Sequence, residues 1–535
     1  MALRQHIMSS ALSVTLLLAT GLLSGQAVTA APASGQEATG SGTLQWGACP
    51  PDVTAAAADT AKQVGAELEC ATLRVPLDYL APDGRTMGIA VSRLRTAKPG
   101  LRQGVLLLNP GGPGSRGLDF PVAVAPGMSP VVLDRFDLIG FDPRFVGHST
   151  PMSCGLTFER LEEAIPWPLP GGVEENAEVV RTVAESCARN AGGVLPFVTT
   201  ANTARDMDEI RQALDEEKIS YLGFSYGTYL GAVYASLFPE HTDRFVLDSN
   251  VSPNRVWREM RRLFGPGVEI RFPDFTDWAA ARDSEYHLGS TPGQVHDRYF
   301  ELAERLDKEH IDLPDSTTGL FPSLLTGNLF RELTTEGLYF DFFFPDLAAL
   351  WQAVNENDRS RIAELVPSFY LDDFTENESS AFFGIVCDDA PSPRSVEQYQ
   401  HDVRHDSVAY PVAGGMAANV WPCAFWPNDP VESPIKISDE GPANILMLQN
   451  LRDPATPYIG ALDMRKALGH RARMVTVDAG GHIAYLLLGN PCADHVTNAF
   501  LVTGALPPTD VACPATPSTP QAIEPTEAQL VKRLR

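Results

Sequence analysis

Residues 223–227 read Gly-Phe-Ser-Tyr-Gly, which places a serine between two glycines. An apolar run that ends at Phe224 precedes the serine, and apolar residues at helical spacing follow it. A strand, a tight turn and a helix in this order form a nucleophile elbow, which presents a serine hydroxyl at the carboxyl end of a strand. Gly223 and Gly227 leave the space that so sharp a turn requires. Ser225 is therefore the candidate nucleophile.

A serine hydroxyl becomes a good nucleophile only when a base removes its proton. Two later strand patterns, 443–450 and 472–478, run into the segments LRDPATP and AGGHIAY. They place Asp453 and His482 just past successive strand ends, in the chain order Ser, Asp, His that this architecture uses. The carboxyl ends of parallel strands share one edge, so we expect a catalytic triad there. Taken alone, His482 is equally compatible with a structural histidine.

Acyl transfer also needs donors for the developing oxyanion. The segment LLLNPGGPGSRG, residues 106–117, follows a buried strand and ends in glycines, so its backbone can approach a substrate oxygen. The candidate donors are the N–H groups of Gly112 and of Tyr226, the residue after the nucleophile. A phosphate-binding loop is excluded, because no Lys-Ser or Lys-Thr pair follows the glycines.

Alternating strand and helix patterns predict an α/β fold with a doubly wound, mostly parallel sheet. No buried parallel strand is evident between residues 252 and 443, which read as helical and aromatic. The aromatic run 338–344 is interpreted as packing, with a substrate-facing role as the alternative. The chain is therefore predicted to be an α/β core interrupted by a large, mainly helical cap. The core elements are a hairpin at 72–94, strands at 104–109, 136–142, 244–249, 443–450 and 472–478, and helices at 204–214, 458–468 and 492–503.

The first residues resemble a secretory signal peptide. Arg4 is their one full charge, and an apolar stretch from Ala11 to Leu23 leads to small residues before Ala30. The stretch is too short to span a bilayer, so we expect a secreted, extracellular protein without membrane insertion. The predicted organisation is a signal peptide (1–30), the first part of the core (31–251), the cap (252–443), the second part of the core (444–513) and a disordered, Pro- and Thr-rich tail (514–535).

The formal net charge of −26 argues against nucleic acid as a partner. An even number of cysteines, eight, indicates disulfides in an exported protein, with buried free thiols as the alternative. Eight cysteines allow 105 pairings. We favour pairs of sequence neighbours: Cys49 with Cys70, Cys154 with Cys187, Cys387 with Cys423, and Cys492 with Cys513. No CxxC pair occurs, which excludes a zinc ribbon, and we predict no metal and no cofactor.

Three weaker candidates carry titratable side chains. His401 and His405 have the i, i+4 spacing of a metal pair, but no third ligand is evident and a solvated helix face is favoured. His148 is interpreted as a surface-loop residue rather than a wall of the site. Asp388 and Asp389, in the cap, could bind a substrate ammonium group, with solvated carboxylates as the alternative.

The chain resembles the secreted tripeptidyl aminopeptidases of the proline iminopeptidase family, serine exopeptidases with the α/β-hydrolase fold. The matching segments are NPGGPGSRG, FDLIGFDPRFVGHS, TTANTARDMDEIRQAL, GFSYGTYLGAVYASLFPEH, RDPATP, GGH and NPCADHVTNAFLVTGALPPTDVAC. The resemblance implies Ser225 as nucleophile, Asp453 as acid and His482 as base. The family usually has glycine where this chain has Phe145 and Ser249.

Together these features predict a secreted serine exopeptidase that acts on peptides with a free N-terminus and releases short peptides, with tripeptides expected from the resemblance. A cap that closes one end of the cleft would restrict cleavage to the chain end, and Asp389, with Asp388 beside it, is the candidate for the ammonium group. The alternatives are a secreted esterase or lipase with the same triad, and a catalytically inactive binding module.

Overall fold

The apolar run GVLLLN forms a strand, Gly104–Asn109, that is buried on both faces of a sheet. Leu106 and Leu108 belong to one apolar cluster, and Val105 and Leu107 belong to another. A strand of this kind lies in the middle of a sheet that is covered by helices on both faces. The predicted α/β fold with a doubly wound sheet is confirmed.

The computed structural model describes residues 44–54, 67–157, 172–314, 324–369, 375–487 and 489–516. The predicted signal peptide and residues 517–535 of the predicted tail lie outside these ranges. Within them, no helix is both long and apolar enough to cross a bilayer.

Ten strands form one sheet, in the order β1-β2-β3-β5-β4-β6-β7-β10-β11-β12. The strands β1, β2 and β3 pair in antiparallel fashion at one edge, and the pairs from β5 to β12 are parallel. A separate antiparallel ribbon joins β8 and β9. The bounds are β1 Gly47–Ala48, β2 Leu68–Pro76, β3 Thr86–Leu94, β4 Gly104–Asn109, β5 Phe136–Phe141, β6 Ile219–Phe224, β7 Thr242–Asp248, β8 Ile311–Asp312, β9 Leu324–Leu325, β10 Ile445–Arg452, β11 Ala472–Gly480 and β12 Val511–Cys513.

Helices flank the sheet, and most of the described residues from 252 to 443, which we call the cap segment, are helical. Their described bounds are α1 Phe120–Val124, α2 Pro130–Leu133, α3 Val173–Ala191, α4 Thr200–Ala213, α5 Tyr226–Leu237, α6 Arg258–Arg262, α7 Phe264–Ala280, α8 Asp283–Tyr286, α9 Pro292–Lys308, α10 Gly327–Gly337, α11 Phe344–Glu356, α12 Arg359–Phe369, α13 Glu376–Asp388, α14 Val396–Ala409, α15 Gly414–Ala418, α16 Tyr458–Leu468 and α17 Pro491–Thr503.

The cap segment lies between β7 and β10 in the sequence, and these two strands are neighbours in the sheet. Leu448 of β10 pairs with Asp248 of β7, and Ile445 of β10 pairs with Ala472 of β11. The strands β6, β7, β10 and β11 therefore run side by side in one direction, and the loops after them meet at a single edge. Within the described part of the cap segment, the strands are limited to the short ribbon of β8 and β9.

The structure contains four disulfides, and none of the described cysteines is free. The prediction of disulfide bonds is therefore confirmed, and the bonded pairs are the sequence neighbours: Cys49–Cys70, Cys154–Cys187, Cys387–Cys423 and Cys492–Cys513. The last pair ties α17 to β12, a short edge strand that the sequence pattern does not reveal.

Candidate active site

Ser225 lies in the turn between β6 and α5. Its φ of 55° and ψ of −121° are unusual for a residue with a side chain, and the flanking Phe224 and Tyr226 are buried while Ser225 is partly exposed. A Cβ at Gly227 would lie 2.7 Å from the Asn109 side-chain oxygen, so the turn closes this tightly only with glycine there. The turn thus presents the Ser225 hydroxyl at the carboxyl edge of the sheet.

Asp453 and His482 are brought together from the loops after β10 and β11. The Nδ1 atom of His482 lies 3.0 and 2.9 Å from the two carboxylate oxygens of Asp453, and both side chains are almost fully buried. Asp453 also accepts hydrogen bonds from the backbone N–H groups of Ala455 and Thr456, and from the Thr456 hydroxyl, each at 2.9 Å. This set of donors fixes the carboxylate and directs it at the imidazole.

The cap segment contacts the histidine directly through Tyr339. The His482 N–H donates to the Tyr339 carbonyl at 2.7 Å, and the two rings meet edge to face with centroids 5.6 Å apart. On the core side, the Asn450 side chain donates to the Gly481 carbonyl at 2.8 Å. The histidine loop is therefore held from both sides, and part of the aromatic run 338–344 belongs to the site as well as to the packing.

Asp248, at the end of β7, links the nucleophile turn to the histidine loop. Its carbonyl accepts from the Ser225 N–H at 2.9 Å. Its buried carboxylate accepts from the N–H groups of Ala484 at 3.0 Å and Tyr485 at 2.7 Å. Beside it, the Ser249 hydroxyl accepts from the N–H of Ile483, the residue after the histidine, at 2.8 Å. Asp248 is thus a positioning residue that sequence reasoning missed.

Burial raises the pKa of Asp248 to about 6, against the lowering effect of the Tyr485 and Ala484 N–H groups. The ordinary pKa of this carboxyl group is 3.8, so between about pH 3.8 and pH 6 Asp248 is protonated in the folded state and ionised in the unfolded state. Ionisation therefore destabilises the folded state progressively as the pH rises through that window, by about 3 kcal/mol in total.

We expect the free energy of unfolding of Asp248→Asn, minus that of the wild type, to increase by about 2 kcal/mol between pH 4 and pH 6.5. The asparagine does not ionise, so the variant escapes the destabilisation. Urea unfolding with intact disulfides measures the difference. The same experiment with Asp439→Asn, at an exposed position, is the matched control. A flat difference for Asp248→Asn would contradict the raised pKa.

The glycine-rich loop after β4 passes directly beside the nucleophile. A Cβ at Gly111 would lie 2.7 Å from the Phe224 carbonyl oxygen and 3.1 Å from the Ser225 Cβ. Gly111 and Gly112 have φ of 111° and 101°, which favour glycine. Tyr226 is the first residue of α5, where a backbone N–H has no acceptor within the helix. Gly112 and Tyr226 therefore remain our proposed oxyanion donors.

Asp388 and Asp389 lie at the end of α13 and line one cavity with Thr200 and Tyr229. The alternative that they are solvated is wrong, since both are buried. The two Asp389 oxygens accept from the Thr200 N–H at 2.7 Å, the Thr200 hydroxyl at 2.5 Å and the Trp257 indole at 3.0 Å.

Asp388 is the less satisfied of the two carboxylates. Its Oδ1 accepts from Trp426 at 3.0 Å and Asn428 at 2.5 Å, but its buried Oδ2 has no hydrogen-bond partner among the described residues. Burial raises the pKa of Asp388 to about 8 and that of Asp389 to about 6. If one of them binds an ammonium group, Asp388 has the open acceptor.

The remaining histidine candidates lie outside this arrangement. The Nε2 atom of His148 is 3.1 Å from the Asp52 carboxylate in a surface ion pair. His401 and His405 are exposed on α14. Among the described residues, no group of three or more His, Cys, Asp or Glu side chains is placed to bind a metal ion.

Phe145 and Ser249, the two departures from the family pattern, share one backbone property. Their φ angles are 68° and 63°, in the left-handed region where glycine is favoured. The structure therefore explains why glycine is usual at these positions. At Ser249, the side chain adds the hydroxyl that accepts from Ile483.

The parallel sheet, the Ser225 turn after β6 and the hydrogen-bonded Asp453 and His482 after β10 and β11 define an α/β-hydrolase enzyme. Residues 410–513 match the family model described as TAP-like protein. The chain is 34% identical over 463 residues to a tripeptidyl aminopeptidase of Streptomyces coelicolor, covering 83% of each chain. It belongs to the tripeptidyl aminopeptidase family of α/β-hydrolases.

Two further relatives come from Mycobacterium tuberculosis. Serine protease Hip1 is 30% identical over 476 residues, covering 83% of this chain and 87% of its own. Carboxylesterase B is 32% identical over 466 residues, covering 83% of this chain and 86% of its own. The predicted family resemblance, the fold class and the assignment as an enzyme are thereby confirmed.

Proposed function

We propose that this protein is a secreted serine exopeptidase that releases tripeptides from the free N-terminus of peptides and proteins. The observation that carries the proposal is the buried hydrogen bond between Asp453 and His482, in loops at the same sheet edge as the turn of Ser225. The relatives named tripeptidyl aminopeptidase and serine protease support a peptide substrate.

In the proposed mechanism, Ser225 attacks the scissile carbonyl while His482 takes its proton. Asp453 holds the Nδ1–H tautomer of the imidazole and stabilises the imidazolium that forms. The N–H groups of Gly112 and Tyr226 donate to the oxyanion. His482 then protonates the leaving amine, and water releases the peptide from the acyl-enzyme.

The free N-terminus requires an acceptor for its ammonium group. We propose the carboxylates of Asp388 and Asp389, on the cavity wall that also includes Tyr229 of α5. Asp388 supplies the acceptor that no described residue occupies, and an arriving ammonium would favour its ionised form. Asp389 then shapes the wall through its bonds to Thr200 and Trp257.

Export agrees with the chemistry of the cysteines. Disulfides persist in oxidising compartments, and the structure holds four of them. The apolar segment from Ala11 to Leu23, followed by small residues, supplies the expected signal for export.

A panel of chromogenic amides tests the proposal. We expect kcat/KM for a tripeptidyl amide with a free N-terminus to exceed that of the monopeptidyl, dipeptidyl and N-acetylated tripeptidyl amides by at least about tenfold. The acetylated amide has no ammonium group, and the two shorter amides do not extend to the proposed site, so each of them loses a charge-assisted hydrogen bond. Equal rates for free and acetylated tripeptides would contradict the ammonium site.

A secreted esterase with the same triad is the second candidate, favoured by the relative named Carboxylesterase B. A short-chain ester in the same panel separates the two. Hydrolysis of the ester without hydrolysis of any peptidyl amide would favour the esterase. Absence of labelling by a fluorophosphonate would favour a catalytically inactive binding module.

A further inference from the structure

One arginine in the cap segment lacks the partner that its neighbours have. Three of the four arginines between residues 255 and 262 form close ion pairs, namely Arg255 with Asp463 at 3.0 Å, Arg258 with Asp402 at 2.7 Å and Arg262 with Asp406 at 2.8 Å. The Arg261 guanidinium has no hydrogen bond and no carboxylate within 4.0 Å among the described residues, and its Nε is buried without an acceptor.

Aromatic rings hold the Arg261 guanidinium in place. Its central carbon lies 4.7 Å from the ring centroid of Trp421 and 4.8 Å from that of Phe264. Contacts of this kind stabilise the cation but provide no hydrogen-bond acceptor for its N–H groups. Arg261 also lines a cavity together with Trp257 and Arg258. The side chain is therefore ordered before any ligand arrives.

Two residues that line this cavity, Trp257 and Trp421, contact residues near the proposed catalytic centre. Trp257 packs on Tyr226, with ring centroids 5.6 Å apart, and Tyr226 follows the nucleophile. Trp421 packs on Phe382 at 5.5 Å. The backbone nitrogen of Phe382 is 3.0 Å from where a Cβ at Gly114 would lie, so the backbone at Phe382 packs against the glycine-rich loop after β4.

Burial lowers the pKa of Arg261, whereas Glu332, Glu336 and Tyr339 raise it through their charges. The two glutamates lie on α10, and Tyr339 contacts His482. The guanidinium remains charged, as arginine does in proteins. Among the residues that the structure describes, no carboxylate lies within ion-pair distance of the guanidinium, which is therefore part of the cavity wall without a bonded counterion there.

We propose that Arg261 binds a carboxylate of the peptide substrate and thereby favours substrates that place a carboxylate in this cavity. The proposal rests on the exopeptidase function proposed above. Each neighbouring arginine pairs with a carboxylate from another helix, α14 or α16, and at Arg261 the ligand supplies the carboxylate. The carboxylate comes either from an Asp or Glu side chain in the released segment or from the C-terminus of a short peptide. A guanidinium fork binds either one through two parallel hydrogen bonds.

The experiment compares matched tripeptidyl amides that carry Glu or Gln at each of the three positions. We expect the wild type to prefer Glu at one position by about 10-fold or more in kcat/KM, and Arg261→Met to reduce this ratio to about 1. Arg404→Met removes the same charge from an exposed site on α14 and is expected to keep the ratio. To test the C-terminal carboxylate as the ligand, kcat/KM for a tetrapeptide with a free C-terminus is compared with that for the same tetrapeptide with an amidated C-terminus, in the wild type and in Arg261→Met.

Two outcomes would overturn the proposal. One is a wild type with equal kcat/KM for Glu and Gln substrates and equal kcat/KM for free and amidated C-termini. The other is an Arg261→Met variant that loses activity equally on Glu and Gln substrates, as binding of a neutral carbonyl would predict. If no amide is hydrolysed, the exopeptidase proposal fails instead. Calorimetric binding of Glu and Gln tripeptides to wild type and Arg261→Met then still decides the role of Arg261.

Discussion

Replacing Ser225 with alanine is expected to lower kcat for tripeptidyl amides by about 10⁶-fold. The variant keeps the oxyanion donors and the cavity, but it has no hydroxyl for the acyl-enzyme. Initial rates with the chromogenic tripeptidyl amide measure the loss, and a fluorophosphonate probe should label the wild type alone.

Ser236→Ala is the matched control for this change. Ser236 lies on the same helix, α5, away from the catalytic loops, where its hydroxyl donates to the Ala232 carbonyl at 2.8 Å and accepts from the Ser438 N–H at 3.1 Å. Its rate is expected to stay within about threefold of the wild type, because single deletions of such bonds are small in free energy. A Ser225→Ala protein with wild-type activity would refute the proposed mechanism.

Asp453→Asn is expected to lower kcat by about 10⁴-fold while the fold persists. The amide oxygen would take the place of Oδ1, which accepts from the N–H groups of Ala455 and Thr456. The amide NH₂ would then face Nδ1 of His482 and force the proton onto Nε2. In that tautomer the imidazole cannot accept the proton of Ser225.

The control for this substitution is Asp463→Asn, in which a partly exposed carboxylate bonded to Arg255 and Ser252 is neutralised. Its kcat is expected to remain close to that of the wild type. The thermal midpoints of both variants and of the wild type verify that the comparison concerns catalysis. An Asp453→Asn protein with undiminished kcat would show that Asp453 does not orient the base.

Local sequence patterns predicted the strands around the proposed triad, because each combines a buried apolar run with a following turn. The positions of Ser225, Asp453 and His482 at one edge then followed from parallel pairing alone. The edge strand β12 was missed, because three residues are too few to show a periodicity and a disulfide and pairing with β11 fix their place.

The contacts around the triad join residues that are far apart in the sequence, so no local sequence pattern predicts them. Tyr339 reaches His482 from the cap segment, and Asp248 reaches the histidine loop across more than 230 residues of chain. Arg261 stands out only when its neighbours are seen to be paired. The burial of Asp388 likewise results from packing of α13 against residues of another loop, Trp426 and Asn428.

The insertion of the cap segment between β7 and β10 has a consequence for biosynthesis. A nascent chain that ends before Ile445 carries Ser225 but neither of its two proposed partners. To complete the site, β10 must pair with β7 after residues 249–444 have been made, and closing so long a loop is a slow, late step. If the proposed triad is catalytic, hydrolytic activity therefore requires that nearly all of the protein has been synthesised and folded.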